Sequence, residues 1–90
     1  MDYFNQINYN FTDNPNLLIK AVQYNQIDSI EKLLSFGIDI HYQNDVALKL
    51  TAAANYLDIV KLLVEKGADI KSSKALVLAT PDVKEYLQSL

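Results

Sequence analysis

The chain has 90 residues, half of them hydrophobic, with eight lysines, no arginine, one histidine, no cysteine and a formal net charge of −3. That length predicts one domain with a modest core, and the absence of cysteine excludes disulfide staples and thiolate zinc sites. The basic footprint of a nucleic-acid binder is missing, no segment approaches the ~20 apolar residues of a membrane span, and the first residues lack a secretory signal, so the expected setting is intracellular and cytoplasmic.

Residues 1–14 are the least regular stretch. Phe4, Ile7 and Phe11 keep helical spacing, while Ile7, Tyr9 and Phe11 alternate as in a strand, and the period leaves both readings open. A cap or arm against the following structure is expected there. Asn14-Pro15 then marks a helix start, with Asn as cap and Pro in the first turn. Leu17, Leu18, Ala21 and Val22 follow at helical spacing, and Asn25 interrupts them. A second helix is expected from about Asp28, with Ile27, Ile30, Leu33 and Leu34 on one face and Gly37 as a left-handed stop.

The plan then recurs. Residues 28–40 read DSIEKLLSFGIDI and residues 58–70 read DIVKLLVEKGADI, 30 positions apart. Ala47, Leu48, Ala52 and Ala53 form a first helix, Asn55 breaks it, and Leu57–Val64 form a second that is apolar over most of its circumference. A helix of that kind is covered on more than one side. Asn25 and Asn55 share one phase, which suits a tight inter-helix turn, because Asn tolerates positive φ better than most residues with a side chain. A fixed period of this length marks a stacked repeat protein and moves the expected function from pocket chemistry to surface contact.

A third, shorter unit follows. Ala75, Leu76, Leu78 and Ala79 echo the first helix, and Thr80-Pro81 starts another, with Thr as cap. Val83, Tyr86, Leu87 and Leu90 fall on one face, opposite Lys84, Glu85, Gln88 and Ser89. A polar outer face is what a terminal repeat needs, so this helix is expected to close the stack and leave a monomer.

The run ALKLTAAANYLDIVKLLVEKGADI, residues 47–70, resembles an ankyrin repeat, which is similar to TPLHLAAxxGHxxIVxLLLxxGADVN. Leu48, Leu50, Ala52, Leu57, Ile59, Val60, Leu62, Leu63, Gly67, Ala68, Asp69 and Ile70 carry the match. Residues 16–41 are a weaker copy and 74–90 a degenerate one, and the short period with its NDVALKL phrasing resembles the ankyrin repeats of large DNA viruses. The resemblance implies an all-α helix-turn-helix solenoid: an arm at 1–14, repeats at 15–44 and 45–73, and a capping repeat at 74–90. The family's Thr-Pro-Leu-His start is replaced by Val46-Ala47-Leu48-Lys49, so apolar packing is expected to replace the hydrogen bonds of that Thr and His. The repeat is also shorter than the family's, which implies truncated hairpin fingers with little or no strand pairing.

No residue set suggests catalysis. His41 is the lone histidine, and metal or general-base roles need clustered partners. Asp39 and Asp69 occupy equivalent places, where turn chemistry explains them, and two glycines cannot build a phosphate loop. No cofactor and no metal is implied. The resemblance instead implies a protein partner, held by finger tips and the exposed face of each first helix: Gln23, Tyr24, His41, Tyr42, Gln43, Asn44, Asp45, Ala53, Ala54 and Tyr56. Tyrosines are the expected anchors, with Tyr42 foremost and Tyr24 and Tyr56 equally able to pack between repeats. The alternative is a structural or self-associating repeat protein without a dedicated partner.

Overall fold

The computed structural model describes residues 14–90; the expected arm thus falls outside the described residues but for Asn14. Helices alternate between two layers. The inner layer is α1 (Asn16–Gln23), α3 (Tyr42–Ala53) and α6 (Ala75–Leu78). The outer layer is α2 (Ile27–Ser35), α4 (Leu57–Glu65) and α7 (Pro81–Gln88), while the one-turn α5 (Ile70–Ser73) leads into α6. Within each layer successive helices pack side by side, α1 on α3 on α6 and α2 on α4 on α7, giving an all-α solenoid of 40 × 22 × 17 Å. No strand occurs among the described residues, as expected of truncated fingers.

The tight turns follow from the sequence. Asn25 and Asn55 have φ of 54° and 62°, and Gly37 and Gly67 have φ of 91° and 101°. All four close their helices in the same way. The amide of the left-handed residue donates three residues back (Asn25 to Val22, Gly37 to Leu34), and the next amide reaches five back (Gln26 to Ala21, Ile38 to Leu33). Asn55/Tyr56 and Gly67/Ala68 repeat the pattern. This double bond satisfies carbonyls that a helix end would leave open.

The core is the sum of the inward stripes. Leu17, Leu18, Ala21 and Val22 of α1 meet Ala47, Leu48 and Ala52 of α3, then Ala75 of α6. Ile30 and Leu33, Ile59, Val60 and Leu63, and Val83 and Leu87 close the outer side. Leu57, Leu62 and Val64 of α4 are half-buried, as a middle helix covered on several sides requires. Burying each Leu or Ile contributes about 1.5–3 kcal/mol, and the stack depends on these contacts because a single repeat cannot cover its own face.

Three expectations need correction. Thr80 takes the N-cap position of α7 but its side chain makes no cap bond; its hydroxyl donates to Oδ1 of Asn55 at 2.7 Å and its amide to the carbonyl of Ala52 at 3.3 Å. Leu90 lies beyond α7 and is 65% exposed, so the apolar face of that helix is Val83, Leu87 and the half-buried Tyr86. Apolar packing is also not the sole replacement for the missing Thr and His bonds, because Thr80 and Asp45 supply polar ties between units.

Candidate functional site

The turn from α2 to α3 carries most of the finger residues. Asp39 opens it, its carboxylate accepting from the His41 amide at 2.9 Å. The backbone then makes one turn of left-handed helix, with Gln43, Asn44 and Asp45 at φ of 53°, 57° and 60°, before α3 continues right-handed from Val46. Left-handed conformation costs about 1–2 kcal/mol per residue, less for Asn and Asp. Here the turn is closed by the amide of Asp45, which donates to the His41 carbonyl at 3.2 Å.

Asp45 holds this turn from inside. It is 2% exposed. Its carboxylate accepts from Nδ1 of His41 at 2.9 and 3.0 Å and from the backbone amide of Asp69 at 2.7 Å. Asp45 therefore leaves the set of contact residues expected from the sequence: a buried carboxylate must be bonded to stay charged, and its oxygens are committed to the fold. The His41 ring has its pKa raised above 6.5, chiefly by the bond to Asp45, with Asp39 and Asp69 adding to the attraction. Asp69 has its carboxyl held below 3.8, first by the Ser72 amide and then by the Ser72 hydroxyl.

The remaining candidates separate into two groups. Gln23, Tyr24, Ala53 and Ala54 form the exposed C-terminal ends of α1 and α3, and Tyr24 is 73% exposed. His41, Gln43 and Asn44 are exposed on the finger, and Gln43 Nε2 donates to the Tyr42 hydroxyl at 3.4 Å. The order of the tyrosines differs from expectation. Tyr42 is half-buried, and Tyr56 packs against the core, which leaves Tyr24 as the most exposed of the three rings. Val77 and Leu78, 82% and 48% exposed, lie outside the set of residues that the sequence points to. Carrying the α3 register into the third unit would have found them, since Val77 takes the place of Lys49 and Leu78 that of Leu50.

On the outer side, an open groove of about 330 Å³ lies between α4 and α7, lined by Leu57, Lys61, Asp82, Glu85, Tyr86 and Ser89. The Lys61 ammonium sits 5.5 Å from the Tyr86 ring centroid. Among the described residues no three His, Cys, Asp or Glu side chains are grouped as metal ligands would be. No described helix is long and apolar enough to cross a membrane.

Paired helices stacked in register, with fingers at one end of the inner layer, define a helical repeat scaffold. The family model of ankyrin repeats (3 copies) matches residues 3–74, and the chain belongs to that family. It is similar to two ankyrin repeat proteins of Acanthamoeba polyphaga mimivirus, at 38% identity over 60 and 59 residues, or 67% and 63% of this chain. The chain spans only 12% and 18% of the length of those relatives. Of the solved structures, none matches.

Proposed function

We propose that this chain is a non-catalytic, monomeric binding module that holds another protein across its finger and the exposed ends of its inner helices. In this reading residues 15–44 and 45–73 are the two full units and 74–90 the closing one. Gln23, Tyr24, His41, Tyr42, Gln43, Asn44, Ala53, Ala54 and Tyr56 form the contact surface.

The observation that carries the proposal is Tyr24, 73% exposed on a repeat scaffold whose own core is complete without it. A large amphipathic ring left in solvent gains most from a partner, at low cost in side-chain entropy. Ala53 and Ala54 beside it on α3 leave a flat approach for another backbone. The test is affinity capture with the wild-type chain, Tyr24→Ala and Tyr42→Ala. Loss of one and the same partner with Tyr24→Ala, at unchanged helicity, is expected, with a smaller loss for the half-buried Tyr42. A partner retained at full strength by both variants would sink the assignment.

A further inference from the structure

We infer that the partner surface on the inner helices takes an acidic protein segment with apolar side chains; this rests on the proposed role of that face as the contact surface. Charge is segregated between the two layers. Among the described residues, the inner helices α1, α3 and α6 with the flanking Lys74 carry Lys20, Lys49 and Lys74 and no exposed carboxylate, since Asp45, the one acid of α3, is buried and bonded; the exposed Asp39 and Asp69 lie in the turns at the finger end, beside His41. The outer helices α2, α4 and α7 with their C-caps carry six carboxylates (Asp28, Glu31, Asp58, Glu65, Asp82, Glu85) against four lysines. A protein of net charge −3 thus turns a cationic face outward on one side only.

Register places the lysines together with apolar groups. Leu17, Ala47 and Ala75 are equivalent core positions on three helices that pack side by side. Counting from them, Asn16, Val46 and Lys74 form one row, Ile19, Lys49 and Val77 a second, and Lys20, Leu50 and Leu78 a third. Ile19 and Leu50 are half-buried against the rim of the core, Val46 and Lys49 are half-buried, and Lys20, Lys74, Val77 and Leu78 are exposed. Each cation therefore has an aliphatic neighbour in the next helix. Such a chequer fits a chain of alternating carboxylate and apolar side chains. Complementary charge steers the encounter and suppresses wrong partners, while the exposed valine and leucine supply contacts that a bare polyanion cannot use. Nucleic acid fits poorly, because no arginine is present to read phosphate in two-point fashion.

The test is selection of a random linear peptide library on the full chain, followed by anisotropy titration of the labelled winners. Winners rich in Asp and Glu with interspersed Leu, Ile or Phe are expected. The variant Lys20→Glu/Lys49→Glu/Lys74→Glu should weaken them about tenfold, the sum of three modest ion pairs. Val77→Asp should weaken them too, and the outer-layer control Lys66→Glu/Lys84→Glu should not. Neutral or basic winners, an empty selection, or acidic winners indifferent to the triple reversal would overturn the inference. So would heparin binding as tightly as the peptides together with no effect of Val77→Asp. Winners of any charge that are lost with Tyr24→Ala but not with the triple variant would remove the acidic preference and leave the contact surface standing. Winners indifferent to every inner-helix and finger substitution would remove both.

Discussion

Residues 37–45 and 67–74 carry the chain from an outer helix to the next inner one, one unit apart, and they begin alike. Each starts with a glycine of positive φ and then an aspartate, Asp39 or Asp69, whose carboxylate accepts from the amide two residues on. They then diverge. The first spends three left-handed residues and buries Asp45, two positions before Ala47. The second forms α5, spends one left-handed residue, Lys74 at φ 56°, and buries Ser73, two positions before Ala75. Asp45 reaches the amide of Asp69 in the next turn. Ser73, a shorter side chain, bonds only nearby, donating to the Ile70 carbonyl and accepting from the Ala75 amide. Asp45 thus ties two units together, whereas Ser73 finishes its own turn.

The largest effect should come from removing the bridging group. Asp45→Ala leaves the Asp69 amide without its acceptor and puts alanine in a left-handed conformation, which together cost about 2–3 kcal/mol. At roughly 4–8 °C per kcal/mol for a domain of this size, a thermal melt should fall by about 8–24 °C. Ser73→Ala should cost about 1 kcal/mol, because only local hydrogen bonds are lost. Equal losses at the two positions would erase the distinction between bridge and local closure.

Strain can be tested separately. Gln43 is exposed and has no special tolerance of φ 53°, so Gln43→Gly should stabilise by about 0.5–1 kcal/mol. Lys74→Gly should do the same in the second turn. A fall in melting temperature for Gln43→Gly would mean that the left-handed turn is absent in solution.

The two turns should also respond differently to pH. The folded pKa of His41 is raised above 6.5, so its stabilising contribution is complete below pH 6.5 and is lost as pH rises through the raised folded value. Wild-type chain should therefore lose melting temperature between mildly acidic and mildly alkaline buffer, and His41→Asn should not show that loss. The folded pKa of Asp69 is lowered below 3.8, so its contribution is complete above 3.8 and is lost as pH falls through the lowered value. Asp69→Asn should flatten the acid limb and leave the His41 limb in place. The smallest effect, about 0.5 kcal/mol, is expected for Thr80→Val, which removes the partly exposed bond to Asn55.

The sequence by itself determined the scaffold. Its 30-residue period, the inward stripes, the glycines at 37 and 67 and the asparagines at 25 and 55 all act through neighbours within one helix or turn. Local sterics and helical spacing were therefore enough to read them. Asp39 and Asp69 were legible as turn residues for the same reason. Tertiary structure decided the polar ties. Asp45 reads as a loop-tip residue and Thr80 as a helix cap, because both stand at helix starts where local rules apply. Their partners lie 24 and 25 positions away, a choice made only once the units have stacked. Exposure of the tyrosines was settled there too. Tyr24 is the C-cap of α1 and Tyr56, two places later in the register, the N-cap of α4, and the folded chain leaves the first ring in solvent and packs the second against the core.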